Sequence, residues 1–417
     1  MNTRLWEDVY RSVQKPELDP VMTGFNANID RIIQVTPALL RSFEQHAIPG
    51  SGAVLPRLKR SMSCSAADEL FISEPSEYQR LSASFSRRGN LSVGGQAGIA
   101  AVHLRNLGVP SVTCAVRGAG PQTCTLLKNA GVIPLTFEQE VNHRPDVIHL
   151  VFEYPPGLVP LAERVVPRRN RFIVSPVHDS STVIIPDASV HSFLEQIRAC
   201  RRAFLSGYQY LRTEPEFVTA ARQIRMIRSV HPLMRTHVEC VSGAGPGVLS
   251  MIVRHVLPCT DSIGLNEREL GLFMQVMGAH DPASTAVLPS SPVACMRDAI
   301  AFADAVGVPR VHLHAFGYYM LILKSGTSRP AVSRNALLLA ARVTAGTTGP
   351  GEQVLSREGL LAYAAARQVF GPDEPPGVFR LDDRFVVLVP TYISHNVRKT
   401  TGLGDILSST AFVADRF

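Results

Sequence analysis

The chain has 417 residues, 45% of them apolar and 18% charged, which supplies a large core and is too little charge for wholesale disorder. No run of about 18 apolar residues occurs, so no membrane span is expected. Its formal charge of +7 sits on single residues and pairs such as Arg87–Arg88 and Arg168–Arg169, without the runs that would make nucleic acid an expected partner. The start, Met1 to Val13, carries Arg4, Glu7, Asp8 and Arg11 instead of a signal-type apolar core. Seven scattered cysteines form no C-x-x-C pair and signal neither a zinc site nor a disulfide framework. A soluble cytoplasmic protein with reduced thiols is the expectation.

The first strand is expected at Val21–Phe25, followed by a polar turn, Asn26-Ala-Asn-Ile-Asp30. From about 33 to 92 the pattern is irregular and rich in Ser, Arg and Pro, which reads as a smaller subdomain with weakly marked strands. A helix opens at Gly94-Gly95, runs from Gln96 to Asn106, ends at Gly108 and yields to a strand at Ser111–Val116. Further strands are predicted at Val147–Tyr154, Phe172–Ser175, Ala203–Tyr208, Met234–Cys240, Ser262–Leu265, Arg310–Ala315 and Phe385–Pro390. Helices are predicted at Glu214–Val230, Val248–Leu257, Glu267–Met277, Val293–Val306, Ala336–Ala345 and Ile406–Asp415. Strands alternating with crossover-length helices predict an α/β fold with a mostly parallel sheet covered on both faces. Ligands of such folds sit at the carboxyl ends of the strands, so the informative residues come just after the apolar runs.

Three groups stand there. Thr400-Thr-Gly402-Leu-Gly404-Asp405 opens the last helix, and its glycines can bare several backbone N–H groups at a positive helix end. That is an anion hole for a phosphoryl group, with Asp405 placed to accept a hydroxyl proton; a glycine-rich turn with Asp405 as an early-helix residue fits equally. His237-Val-Glu239 and Asn266-Glu-Arg-Glu269 end neighbouring strands, where two carboxylates and an amide suit Mg²⁺ held directly or through water. Helix capping accounts for the second of these as well. Asn26, Asn28 and Asp30, with Gly94-Gly95-Gln96, suit a polyhydroxyl ligand, although an Asx-type turn explains them too. A Walker A lysine and a protein-kinase H-R-D loop are both missing, so any phosphate cradle is of another kind.

In order along the chain, Gly24-Phe-Asn-Ala-Asn-Ile-Asp30, Gly94-Gly-Gln-Ala-Gly-Ile99, Phe152-Glu-Tyr154, Asn170-Arg-Phe-Ile173, Leu205-Ser-Gly-Tyr-Gln209, His237-Val-Glu239, Ser262 to Glu269 and Gly402-Leu-Gly-Asp405 resemble the ADP-dependent glucokinase/phosphofructokinase family of the ribokinase-like superfamily. The resemblance spans roughly residues 21 to 416. It implies a doubly wound α/β domain (1–32, 93–150 and 186–417) and a smaller α/β lid (33–92 and 151–185). It also implies Asp405 as catalytic base, with the amides of Gly402, Leu403 and Gly404 on the transferring phosphoryl. Glu239, Asn266 and Glu269 would organise Mg²⁺ with support from His237; Asn28, Asp30, Gly95 and Gln96 would hold the sugar; Arg171 would grip the terminal phosphate of ADP.

The same resemblance implies β-phosphoryl transfer from MgADP to the C6 hydroxyl of a hexose, by a monomer or small homo-oligomer. Glucose is favoured, because Pro155-Pro156-Gly157 stands where the phosphofructokinase branch has a lysine and because Glu69 resembles a glutamate of glucose-binding members. Fructose 6-phosphate, bifunctionality and an ATP-dependent relative are the alternatives. The chain departs from the family pattern in its serine-rich stretch over 61–86 and in ending at Phe417, soon after the helix next to Asp405.

Overall fold

Short apolar runs assemble into two principal sheets in a computed structural model that describes residues 3–65, 67–137, 145–158, 165–177, 179–241, 243–280, 291–347, 353–394 and 402–417. Along the chain come β1 (Val21–Gly24), β2 (Asn28–Gln34), β3 (Asp68–Ile72), β4 (Asn90–Gly94), β5 (Val112–Ala115) and β6 (Ile133–Leu135). Next are β7 (Ile148–Tyr154), β8 (Asn170–Pro176), β9 (Arg202–Leu205), β10 (Arg235–Glu239), β11 (Ser262–Leu265) and β12 (Arg310–Ala315). The last are β13 (Tyr318–Lys324), β14 (Gln353–Leu355), β15 (Val378–Arg380), β16 (Arg384–Pro390) and β17 (Tyr392–Ser394).

The larger sheet has the order β15-β16-β13-β12-β11-β10-β9-β1-β5-β6. The seven strands from β12 to β6 run parallel, and β13, β16 and β15 join antiparallel. The chain winds outward from β1 to β5 and β6, then returns beside β1 as β9 and winds the other way through β10, β11 and β12. This doubly wound α/β order puts the switch point at β1 and β9, where the carboxyl ends open a crevice. The second sheet, ordered β3-β8-β7-β2-β4, mixes parallel and antiparallel pairs and draws on residues 28–94 and 148–176. Each sheet buries apolar residues of its own. The second packs Phe43, Phe85 and Phe152 with ring centroids 5.3–6.1 Å apart.

Most predicted elements lie within two residues of the observed ones, and Gln96–Asn106, Ser262–Leu265 and Arg310–Ala315 coincide with them. Besides the helix expected at Ala336–Ala345, which runs over Pro330–Thr347, and the strand expected at Ala203–Tyr208, which ends at Leu205, four expectations change. Asn28–Asp30 is not a turn but the start of β2, because pairing Asn28 with Gly94 and Asp30 with Ser92 satisfies its backbone. The stretch read as irregular carries helices Pro37–Glu44, Ser51–Cys64 and Pro75–Ala83, the first and last begun by Pro after a capping side chain. The helix expected at Val248–Leu257 starts at Pro246 and passes into a π-turn over Ile252–Val256. The last helix starts at Leu403 rather than Ile406, which moves Asp405 inside its first turn. Among the described residues no helix is long and apolar enough to cross a membrane.

Candidate active site

The carboxyl ends of β10, β11 and β12 and the start of helix Leu403–Ala414 converge on Glu239. Strand alternation puts His237 and Glu239 on one face of β10. His237 is fully buried between the rings of Phe204 and Phe412, with centroids 5.1 and 5.0 Å away. Its Nε2 lies 3.0 Å from Glu239 Oε2, and Ser408 Oγ donates to the same oxygen at 2.6 Å. Glu239 Oε1 takes His314 Nε2 at 3.0 Å. Burial alone would raise the Glu239 carboxyl, but the hydrogen bonds from His237 and His314 outweigh it and hold it down at about 2. Burial would also lower the His314 imidazole, yet its bond to Glu239 and the nearby Glu269 and Glu267 lift it to about 9. Gly264 makes this gathering possible: a Cβ there would stand 2.0 Å from Glu239 Oε2 and 2.7 Å from His237 Nε2.

Asn266 and Glu269 form a capping box at the head of helix Glu267–Val276. The Glu269 amide donates to Asn266 Oδ1 at 3.0 Å, and the Asn266 amide donates to Glu269 Oε2 at 2.8 Å. The capping reading of these residues is therefore realised, and Glu269 also faces the cleft. Burial, reinforced by the charges of Glu239 and Asp405, pushes its carboxyl up to about 8. Asp405 is pushed up to about 7, first by burial and then by Glu239 and Asp30, against the opposing pull of Arg171 and His314. Residues far apart in sequence thus share one electrostatic neighbourhood.

Gly402 caps helix Leu403–Ala414 with φ 74°, a left-handed conformation that a side chain resists. The first intrahelical bond runs from the Ile406 amide to the Gly402 carbonyl at 3.0 Å, so the amides of Leu403, Gly404 and Asp405 have no acceptor within the helix. The preceding Arg398, Lys399, Thr400 and Thr401 lie outside the described residues. Gly404 stands against His314, whose Cε1 would be 3.4 Å from an added Cβ.

The second sheet faces the same cleft. Asn28 Nδ2 donates to Asp30 Oδ1 at 3.0 Å, beside Gly94 and Gly95. Gln96 Nε2 reaches back to the Cys240 carbonyl at 3.2 Å, while Asn28 Oδ1 and Gln96 Oε1 are buried with no hydrogen-bond partner among the described residues. Two buried acceptors of this kind fit the hydroxyls of a ligand. Arg171, on β8 opposite Glu153, is shifted down by burial but drawn up by Asp405 and Asp30. Glu69, on β3, accepts from Ser175 Oγ at 2.7 Å and is raised by burial; its charge reaches Tyr210, which Asn26 Nδ2 meets at 3.4 Å.

His314 and Ser408 escaped the sequence reading. The signal for the first was His312-Leu-His314, a strand-end pair that repeats the spacing of His237-Val-Glu239. Ser408 lies one helical turn beyond Asp405, on the same face. Among the described residues no group of three or more His, Cys, Asp and Glu side chains is arranged to hold a metal ion by itself.

A helix head whose first amides have no acceptor within the helix, a carboxylate beside it with a pKa near neutrality and paired acceptors for hydroxyls fit a phosphotransferase with an alcohol acceptor. The conserved region of the ADP-specific phosphofructokinases and glucokinases matches residues 19–414, and the chain belongs to that family. It is 27% identical to an ADP-dependent glucose/glucosamine kinase from Pyrococcus furiosus, over 98% of both chains. It is 25% identical to an ADP-specific phosphofructokinase from Methanosarcina acetivorans, over 96% of this chain and 93% of the other. An ADP-dependent kinase solved with fructose 6-phosphate and ADPβS shares its fold, with a TM-score of 0.79 and 21% identity over 99% and 96% of the two chains.

Proposed function

We propose that this chain transfers the β-phosphoryl of ADP to the C6 hydroxyl of glucose, releasing AMP and glucose 6-phosphate, in the cytoplasm. The observation that carries this reading is Asp405, held near neutral pKa beside the Leu403, Gly404 and Asp405 amides, which have no acceptor within the helix, and within electrostatic reach of Asp30 and Arg171. Asp30, with Asn28, Gly95 and Gln96, would hold the sugar. Asp405 would take the C6 hydroxyl proton as that oxygen attacks in line. The helix head and Arg171 would take up the charge of the moving phosphoryl, where positioning and electrostatics supply most of the rate.

The donor set fits Mg²⁺ held largely through water. The charge of Glu239 raises the carboxyls of Asp405 and Glu269, and Asp405 raises Glu269 in turn, a crowding of charge that a cation relieves. Three of the lone-pair directions of Glu239 are taken, and the cap occupies Glu269 Oε2. Glu239, Glu269 and Asn266 would hold the ion chiefly by its water shell. When bound, it would offset the charge of the diphosphate. The stretches 33–92 and 151–185, which carry most of the five-stranded sheet, would act as a lid, closing over the sugar to exclude water.

Glucose is favoured over fructose 6-phosphate because Pro155-Pro156-Gly157 comes after β7 without a cation and because Glu69, a buried carboxyl on β3 whose charge reaches Tyr210, resembles a glutamate of glucose-binding members. The test is a rate matrix of ADP and ATP against glucose and fructose 6-phosphate. The expected result is turnover with MgADP and glucose above the other three pairs. Turnover with ATP alone defeats the donor assignment, and turnover with fructose 6-phosphate alone defeats the acceptor assignment.

A further inference from the structure

Behind Glu239 a line of fully buried polar side chains runs to the end of the chain. Asp415 Oδ2 receives Arg310 Nε at 2.9 Å, and Asp415 Oδ1 receives Ser333 Oγ at 2.9 Å. A second guanidinium nitrogen of Arg310 donates to Ser262 Oγ at 2.8 Å. Ser262 Oγ lies 2.8 Å from His237 Nδ1, and His237 Nε2 lies 3.0 Å from Glu239 Oε2. Asp415, Arg310, Ser262 and His237 are each 0% exposed. Burying an ion pair is costly and is a weak source of stability, so its place at the head of this line asks for a further reason.

Donor and acceptor chemistry gives the line a direction. Arginine only donates, so Ser262 Oγ accepts from Arg310 and retains one hydrogen of its own. Among the described residues the remaining hydrogen-bond partner of that hydroxyl is His237 Nδ1. On the other edge of the ring the Glu239 carboxylate can only accept, so a neutral imidazole carries its proton on Nε2 and leaves Nδ1 to accept the Ser262 hydrogen. Phe204 and Phe412 clamp the ring plane, so the imidazole cannot turn over to present its other edge.

We infer that Ser262 and Arg310 are positioning residues which, anchored by Asp415, fix His237 as its Nε2–H tautomer and thereby hold Glu239 in place at the phosphoryl-transfer site. The inference rests on the reading of Glu239 as part of that site, but its first test does not. The ring nitrogens of His237 are read by ¹⁵N NMR in the full, ligand-free chain at pH 7. The expected spectrum has one protonated nitrogen, Nε2; a proton on Nδ1, alone or in addition, overturns the relay whatever the enzyme does. The second test is Ser262→Ala, expected to lower kcat by about 10- to 100-fold, the usual cost of removing a supporting partner behind a ligating side chain. The KM for the sugar should change by less than about threefold, and Ser262→Thr, which keeps the hydroxyl, should recover most of the loss. A Ser262→Ala enzyme with wild-type kcat, or a Thr variant that folds yet stays as slow as Ala, overturns the positioning role.

Discussion

Asp405 is placed to work as a base because its surroundings set its proton affinity near the pH at which it must act. Its pKa of about 7 means that kcat/KM should rise with unit slope as pH increases and level off above about 7. Replacing it by Asn should remove that limb and lower turnover by at least about 10³-fold while ADP binding persists, the scale of losing a catalytic base together with its alignment. The same shift has a stability consequence whose sign can be worked out. The folded state holds the Asp405 proton more tightly than the unfolded chain, so this group costs stability as pH rises from about 4 through 7. In the ligand-free protein Asp405→Asn should raise Tm at pH 8 and leave it unchanged near pH 4. A variant that is inactive yet no more stable at pH 8 would mean that the carboxyl is not perturbed in the resting protein. Residue types and spacing made Asp405, Glu239 and Glu269 legible in the sequence as candidates, with helix-end readings left open, and the family resemblance supplied their roles. Their pKa values were not legible, because these depend on Asp30, Arg171 and His314, which folding alone brings near.

At the scale of elements, the site depends on two places where a side chain has no room. Gly264 lies in a strand that reads as an ordinary apolar run, and nothing local marks it as special. Its importance comes from β10 and the last helix, which bring Glu239, Ser408 and His237 to within 2.0–2.7 Å of where a Cβ would be. Gly264→Ala should therefore displace Glu239 and cost activity more than stability, whereas alanine in an exposed turn would be nearly neutral. The check is kcat beside the urea midpoint. Loss of both in proportion would point to misfolding rather than a displaced carboxylate. Gly402 was readable from the G-x-G-D spacing, but the helix start was misplaced by three residues because Leu403 and Gly404 carry no capping signature. The Asn28–Asp30 segment was misread for a related reason. Asn and Asp favour turns when alone, and pairing with β4, some sixty residues away, overrides that preference.

Across the whole molecule, the proposed chemistry is divided between two sheets with separate cores. The larger carries Glu239, Glu269, His314 and the head of the last helix. The smaller carries Asn28, Asp30, Glu69 and Arg171, and β1 leads straight into it. The parallel order of the larger sheet was legible from alternating strands and helices. The smaller sheet was legible only in part: β7 and β8 were expected as strands, whereas β2, β3 and β4 were not, because helices interrupt them and their partners lie far along the chain. A division of this kind makes sugar binding a bridge between two bodies, and bridging should shift the population toward a closed form. Glucose with AMP should lower the radius of gyration measured by small-angle X-ray scattering, and AMP alone should lower it less. Glu69→Gln provides the control, since it keeps the backbone pairing of β3 and removes only the charge. This variant should raise the KM for glucose by about tenfold, in the range set by one hydrogen bond to a charged group, and leave the KM for ADP within about twofold. If it weakened both substrates equally, Glu69 would be serving the closure of the lid rather than the choice of sugar.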